Sequence, residues 1–220
     1  MRLKTLAVLS RKGGTGKTTL ALHLAVAAYA AGRSTLLVDL DRQRSALTWR
    51  RQRAFSGPRV VDAKPGALFS MQHAAERLDT DLMILDTSPS GEEDAEQAAR
   101  CANFCLIVLR PNFLDLKAVA ASAEMVQRLR RPACFVINQA PPRRGGQEVS
   151  AIPETVEALE RFGIPVAPIG LRSRIAYQRS LETGHVAQEV EPDGSAAMEI
   201  FGLWRWVEEV LWPQEFRAIA

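Results

Sequence analysis

The sequence predicts an α/β fold in which helices flank both faces of a doubly wound, mostly parallel sheet. Short apolar runs alternate with segments of helical periodicity along the chain. The runs at 36–38, 82–85 and 105–109 are apolar without alternating polar residues, which is typical of parallel strands covered on both faces. With 220 residues, 47% of them hydrophobic, the chain suits one domain over residues 1–220.

The apolar runs and the helical patterns give an expected order of elements. Strands are expected at 3–9, 35–39, 60–62, 82–86, 105–109, 134–137 and 166–169, with 60–62 the least marked. Helices are expected at 18–31, 45–55, 67–78, 92–101, 116–129, 152–162, 175–183 and 195–211. Gly32, Gly163 and Gly184 follow three of these helices and Pro213 follows the last, as glycine and proline commonly do where helices end.

The first strand is followed by a glycine-rich loop that opens the first helix. Residues 11–19 read Arg-Lys-Gly-Gly-Thr-Gly-Lys-Thr-Thr. Gly13, Gly14 and Gly16 allow close approach of the backbone to an anion, which the N–H groups of the loop and the helix N-terminus favour. Lys17 is expected to contact the β- and γ-phosphates of a nucleotide, and Thr18 to offer its hydroxyl to Mg²⁺. The sequence therefore predicts a P-loop of the NTPase type.

This loop departs from the usual pattern at its first two positions. Arg11 stands where glycine is usual, and Lys12 adds a second lysine ahead of the glycines. The alternative without a ligand is a glycine-rich turn capped by Thr18.

Two further strands of the expected sheet end in aspartates. The strand at 82–86 ends in Asp86-Thr87-Ser88-Pro89, which places a carboxylate beside the loop for Mg²⁺, through a water molecule. The strand at 35–39 leads into Asp39 and Asp41, which point the same way from an extended segment. Asp41 is the better candidate to orient an attacking water. For Asp39, capping or loop hydrogen bonding is the alternative to a metal role.

Residues 12–19, 39–43 and 86–89 resemble the three signatures of the ParA/MinD family of deviant Walker ATPases, and most of all the small partition ATPases of the ParA/ParF type. The resemblance extends through Leu109-Arg110-Pro111 with Asp115, through 136–138, and through 172–189. The sequence departs from the family pattern at two positions. Family members usually have proline where Arg42 stands, and often a second proline where Ser88 stands. Neither departure removes a metal or phosphate ligand.

The resemblance implies an ATPase that binds ATP and Mg²⁺ and closes as a nucleotide-sandwich homodimer. In that dimer Lys12 would reach the phosphates of the partner subunit. The catalytic residues would be Lys12, Lys17 and Asp41, and hydrolysis would be slow and stimulated by a partner protein. The implied nucleotide ligands are Lys12, Gly13, Gly14, Thr15, Gly16, Lys17, Thr18 and Thr19, with Asn138 at the adenine. Thr18, Asp39 and Asp86 would surround the metal.

Arginine is clustered, although the formal net charge is only +3. Arginine-rich faces suit phosphate backbones, but most are solvated helix surfaces. The resemblance implies non-specific DNA binding, with Arg172, Arg174 and Arg179 as candidates, and a ParB- or ParG-like centromere-binding protein or other cargo adaptor as partner. The arginine that often follows further downstream is missing from 191–195. The cargo would be a plasmid, a chromosome region or another assembly.

Cysteine usage and hydropathy predict a cytoplasmic protein without stable membrane insertion, and the resemblance implies association with the nucleoid when ATP is bound. Cys101, Cys105 and Cys134 lack framework spacing, and no apolar run approaches the roughly 20 residues needed to span a bilayer. A MinD-like membrane role of the helix at 195–211 is an alternative, disfavoured by its glutamates. A P-loop metabolic synthetase or ligase is another, disfavoured by the lack of room for an amidotransferase domain.

Overall fold

The computed structural model of the chain describes residues 3–89 and 91–214, and the rest of the expected 1–220 domain lies outside them. The strands are β1 (Lys4–Leu9), β2 (Thr35–Asp39), β3 (Arg59–Asp62), β4 (Leu82–Asp86), β5 (Phe104–Leu109) and β6 (Ala133–Ile137). The helices are α1 (Lys17–Ala30), α2 (Ser45–Gln52), α3 (Leu68–Arg77), α4 (Glu92–Cys101), α5 (Phe113–Arg128), α6 (Ala151–Glu160), α7 (Ile175–Leu181), α8 (Ala187–Val190) and α9 (Ser195–Leu211).

The strands form one parallel sheet in the order β3-β2-β4-β1-β5-β6, which confirms the expected α/β class. One apolar core joins the sheet to α1, α7, α8 and α9 on one face. A second core joins it to α3, α4, α5 and α6 on the other face. Burial on both faces explains why β2, β4 and β5 are apolar without alternation.

Strand order brings three carboxyl ends together at the centre of the sheet. The chain leaves β1 for β2 on one side, returns to β4 between them, and then crosses to β5 on the other side. In the register, Val8 is opposite Asp86, and Asp86 is opposite Asp39. Ligands of doubly wound sheets bind at such a reversal of strand order, so the glycine-rich loop lies where a ligand is expected.

The expected strand at 166–169 is wrong. Only an isolated parallel bridge between Phe135 and Val166 is present there, with the Ala167 N–H donating to the Phe135 carbonyl at 2.8 Å. Pro165 lacks the N–H that would donate to β6 ahead of this bridge. Beyond the bridge, the Ile137 carbonyl accepts from the Leu171 N–H at 2.9 Å, two residues further along than a regular parallel ladder requires.

Two helix ends differ from the expected ones by three residues. α5 begins three residues earlier than expected because the Asn112 side chain caps it, accepting from the Asp115 N–H at 3.0 Å. α2 ends at Gln52 because Arg53 is extended and buried. The Arg53 guanidinium forms a bidentate ion pair with Glu189 of α8, at 2.8 and 2.6 Å.

The short helix α8 has no signal in the sequence pattern and is held by the buried His23 of α1. The His23 Nε2 accepts from the Ala187 N–H at 3.1 Å, and its Nδ1 lies 2.7 Å from the Thr19 carbonyl oxygen. Burial lowers the pKa of His23 to about 4, so the ring is neutral at physiological pH. The neutral ring donates from Nδ1 and accepts at Nε2, and it thereby joins α8 to the first turn of α1.

The helix α9 packs its apolar face into the core, in agreement with the preferred interpretation of the sequence. Ile200, Leu203, Val207 and Leu211 are buried in the same core as α1. Across the described part of the chain, no helix combines the length and apolar character required to cross a membrane.

Candidate functional site

The glycine-rich loop between β1 and α1 is shaped by two left-handed glycines. Gly14 has φ +74° and Gly16 has φ +89°, a region that residues with a side chain rarely adopt. At Gly16 space is also limiting, because a Cβ there would lie 2.3 Å from Nδ2 of Asn138. Gly16 immediately precedes α1, so the free N–H groups of the first turn open toward the loop. This geometry agrees with the expected P-loop.

Lys17 lies beneath the loop as a buried cation. Its side chain is buried, and its Nζ donates to the Lys12 carbonyl oxygen at 3.4 Å. Burial lowers the pKa of Lys17, while the charges of Asp86 and Asp41 act in the opposite direction. The loop lysine therefore shares one electrostatic environment with Asp86 and Asp41, two of the three aspartates that the sequence singled out.

Asp86 is a fully buried carboxylate at the end of β4, and within the described residues neither of its oxygens has a hydrogen-bond partner of normal geometry. Burial raises the pKa of Asp86 to about 7, and the nearby Thr18 hydroxyl lowers it in part. Buried carboxylates are normally paired, so an orphaned one indicates a missing partner. A cation next to Thr18 would supply it, and these two side chains are the ones that could hold a divalent metal.

Asp39 and Asp41 differ in what their carboxylates already contact. Both oxygens of Asp39 accept backbone N–H groups, from Asp41 and from Leu47, each at 3.1 Å. This is the capping role that the sequence left open, and the metal role of Asp39 stays a prediction. Asp41 is half-buried and accepts from the Gln43 N–H at 2.9 Å through one oxygen. Its charge acts to raise the pKa of Lys17, so Asp41 lies within electrostatic range of the loop lysine.

The end of β6 is fastened to the loop by two neighbouring amides. Nδ2 of Asn138 donates to the Thr15 carbonyl at 2.7 Å, and Nε2 of Gln139 donates to the Gly14 carbonyl at 2.9 Å. The adenine contact expected of Asn138 stays a prediction. Sequence reasoning missed Gln139, since only its adjacency to Asn138 could have indicated it. Beyond this contact lies a cavity of about 540 Å³ lined by both 140–143 and 166–174.

Lys12 and Arg110 converge on one carboxylate at the rim of the loop. Nζ of Lys12 lies 2.6 Å from Oδ1 of Asp115, and Nε of Arg110 lies 2.9 Å from Oδ2. Burial acts to raise the pKa of Asp115, but the hydrogen bonds from Arg110 and Lys12 lower it to about 2. The carboxylate is therefore ionised at every physiological pH. Sequence reasoning gave neither Arg110 nor Asp115 a role.

Two of the three arginines expected to bind DNA are already paired with acids. Arg172 contacts Glu148, and Arg174 contacts Glu199 at 2.7 Å. Arg179 is exposed on α7 and makes no ion pair with any residue in 3–89 or 91–214. The three side chains therefore do not form a bare cationic patch, and Arg179 is the most available of them.

Comparison with known proteins places this site in a family. The family model of the CobQ/CobB/MinD/ParA nucleotide binding domain matches residues 6–186. The maintenance of carboxysome distribution protein A of Halothiobacillus neapolitanus is 30% identical over 214 residues, covering 89% of this chain and 92% of that protein. The chromosome-partitioning ATPase Soj of Thermus thermophilus is 26% identical over 158 residues, covering 59% and 64%.

A solved structure shares the fold. An ATP complex of an aspartate-to-alanine variant of McdA from Cyanothece superposes with a TM-score of 0.75 at 15% identity, covering 96% of each chain. The family model spans most of the sequence, and the carboxysome relative matches it almost end to end. The chain therefore belongs to the ParA/MinD ATPases of the CobQ/CobB/MinD/ParA nucleotide-binding family.

Proposed function

We propose that this ParA-family positioning ATPase acts as one ATPase unit over residues 1–220, dimerises on Mg-ATP and moves a cargo along DNA in the cytoplasm. The observation that carries the proposal is the buried Lys17 beneath the glycine-rich loop, in the field of Asp86 and Asp41. A buried cation enclosed by backbone N–H donors is suited to a triphosphate.

Different residues around the loop would bind the phosphates, bind the metal and orient the water. Backbone N–H groups of 13–19 and the Lys17 ammonium would hold the β- and γ-phosphates. Thr18 and the orphaned Asp86 would hold Mg²⁺, which when bound supplies charge neutralisation of the phosphates. Asp41 follows β2, where one carboxylate oxygen accepts from the Gln43 N–H, and it would orient the attacking water.

The cavity beyond β6 is the proposed place of the base. It is lined by Ile137 and Ala140 on one side and by Pro168 and Gly170 on the other. Both lining segments lie next to β6, the edge strand, and Asn138 at the end of this strand donates to the Thr15 carbonyl of the loop. The lining combines apolar side chains with the ion pairs of Arg172 and Arg174, and its apolar part suits a purine ring. Asn138 would contact the base from the loop side.

Lys12 is the proposed link between two subunits. Its side chain is 29% exposed at the rim of the loop, whereas Lys17 is buried beneath it. A cation in that place can reach the nucleotide of a second copy and stabilise charge that develops during phosphoryl transfer. Because ATP would then contact both subunits, nucleotide binding would shift the population toward the dimer.

The proposed cargo system follows from the relatives. The named functions of the two relatives are maintenance of carboxysome distribution and chromosome partitioning. We propose an adaptor protein, ParB-like, ParG-like or of another kind, that links this ATPase to its cargo and stimulates hydrolysis. Non-specific DNA binding would provide the track, with association to the nucleoid only in the ATP-bound state.

The dimer is tested by light scattering on Asp41→Ala, a variant expected to bind Mg-ATP without hydrolysing it. We expect a dimer with Mg-ATP and a monomer with Mg-ADP. Adding Lys12→Ala should reduce the dimer at least tenfold, because it removes a buried charge interaction across the interface. Lys64→Ala, an exposed lysine on the loop after β3, is the matched control. A monomer in every nucleotide state would overturn the proposal.

DNA binding is tested at Arg179, because reversing Arg174 would also break its ion pair with Glu199. We expect Arg179→Glu to weaken retention of the ATP-bound protein on DNA. The dependence of log K on log salt should flatten by about one unit for each phosphate that the protein no longer neutralises. Arg77→Glu on α3, on the opposite face of the sheet, makes the same charge change as a control. Equal slopes for the two variants would remove Arg179 from the interface.

A further inference from the structure

The carboxylate of Asp115 pairs with two cations, Arg110 and Lys12, and Arg110 makes more contacts with it. Arg110 donates to it three times, from the backbone N–H at 3.0 Å, from Nε at 2.9 Å and from Nη2 at 3.1 Å. Lys12 makes a single contact, at 2.6 Å. The Asp115 side chain is 1% exposed, whereas the Lys12 side chain is 29% exposed.

Because Asp115 is buried, Lys12 can leave it only if Arg110 stays to neutralise the carboxylate. A buried carboxylate that loses its only counter-charge is strongly destabilised, because the charge stays out of water without compensation. With Arg110 in place, Asp115 keeps a bidentate partner after the lysine leaves. Lys12 can then depart at the cost of one partly exposed ion pair, which is small.

Arg110 lies beside the loop, but most of its guanidinium N–H groups are directed to Asp115 and not to the phosphate site. A Cβ at Gly14 would lie 4.0 Å from its Nη1, and Nε and Nη2 both point to Asp115. The guanidinium is thus oriented by the carboxylate. A role as a direct phosphate ligand would use only Nη1 and makes a different prediction, which the experiment below separates.

We propose that Arg110 is a positioning residue that makes Lys12 a releasable cation. In the nucleotide-free subunit Asp115 holds Lys12 against its own chain, and on dimerisation the lysine swings to the partner's phosphates while Arg110 keeps the carboxylate neutralised. This inference rests on the proposed role of Lys12 across the dimer. It assigns to Arg110 and Asp115 the control of when that lysine is available.

The test compares Arg110→Ala with the double variant Arg110→Ala/Asp115→Asn. Without Arg110, Asp115 depends on Lys12 alone and retains it, so Mg-ATP-dependent dimerisation and turnover should fall about tenfold while the nucleotide affinity of the monomer changes less than threefold. Removing the carboxylate charge should release the lysine, and the double variant should recover at least half of the wild-type dimer. Asparagine still accepts the backbone N–H of residue 110 and preserves the local turn.

A second measurement follows Lys12 itself. The rate at which an amine-acylating reagent modifies Lys12, read by peptide mass spectrometry in the absence of nucleotide, should be lowest in Arg110→Ala and highest in the double variant. Lys64 provides the internal reference. If Arg110→Ala does not fold, Arg110→Lys serves in its place. It keeps one charge without the bidentate contact and should lower Lys12 reactivity and dimerisation in the same direction.

The outcomes separate the inference from the function on which it rests. A double variant as impaired as Arg110→Ala, with Lys12 reactivity unchanged, would make Arg110 a phosphate ligand and overturn the inference. Wild-type dimerisation and reactivity in Arg110→Ala would also overturn it. If instead Lys12→Ala dimerises and hydrolyses like the wild type, the proposed function across the dimer fails first.

Discussion

Replacing Lys17 by alanine is expected to lower the affinity for Mg-ATP at least about 30-fold. The ammonium is buried beneath the loop, where a charge contact to phosphate is weakened little by solvent. Truncating one partner of such a contact costs about 2–5 kcal/mol, which corresponds to roughly 30- to several-thousand-fold in affinity. Titration of a fluorescent ATP analogue in the presence of Mg²⁺ measures the change directly.

Lys17→Ala is expected to remain folded. The lysine pKa is lowered by burial, so the free protein gains by losing this desolvated charge, while Asp86 loses a favourable neighbour. The two effects oppose each other, and the free energy of unfolding without nucleotide should change little. Lys64→Ala is the matched control. A nucleotide affinity within threefold of the wild type would remove Lys17 from the phosphate site.

Asp86→Asn is expected to stabilise the nucleotide-free protein and to abolish its stabilisation by Mg-ATP. The carboxylate is fully buried, and its pKa of about 7 lies well above the ordinary value of 3.8. The folded state therefore binds a proton that the unfolded state has released. Wild-type stability should fall as the pH rises from about 4 to 7, and the full penalty should be present above pH 7.

Denaturant unfolding at pH 5 and pH 8 measures this effect. At pH 8 Asp86→Asn should exceed the wild type by up to about 4 kcal/mol, and at pH 5 by less than half of that, because the folded wild-type carboxyl is then protonated while the unfolded one is still ionised. With Mg-ATP at pH 8 the order should reverse, since only the wild type can complete the metal site. Asp193→Asn, at an exposed position, is the control. A pH-independent difference would show that Asp86 is not the titrating group.

Features encoded by contiguous residues were predictable from the sequence. The glycine-rich loop between a strand and a helix is such a feature, and Lys17 lies where the spacing placed it. Asp86 and Asp39 also lie at the ends of their strands as expected, because apolar runs define those strands clearly. The prediction of a strand at 166–169 failed because Pro165 and the shifted contact from Leu171 limit the pairing with β6 to one bridge, which the apolar pattern alone does not show.

Features that depend on distant partners were not predictable. The roles of Arg172 and Arg174 depend on Glu148 and Glu199, which are 24 and 25 residues away in sequence. Lys12 and Asp115 meet only because β1 and β5 are neighbours in the sheet. Charge clusters in a sequence do not show which charges will neutralise each other. The sequence therefore suggested a cationic patch, whereas in the fold Arg172 and Arg174 form ion pairs.

The two amides at the end of β6 have a thermodynamic consequence for nucleotide affinity. Asn138 and Gln139 hold the carbonyl groups of Thr15 and Gly14 through contacts that the chain itself supplies. A glycine-rich segment would otherwise sample many backbone conformations and lose that freedom on binding. Here the loop loses this conformational entropy when the chain folds. A triphosphate therefore binds a preorganised loop, and more of its interaction energy contributes to the affinity.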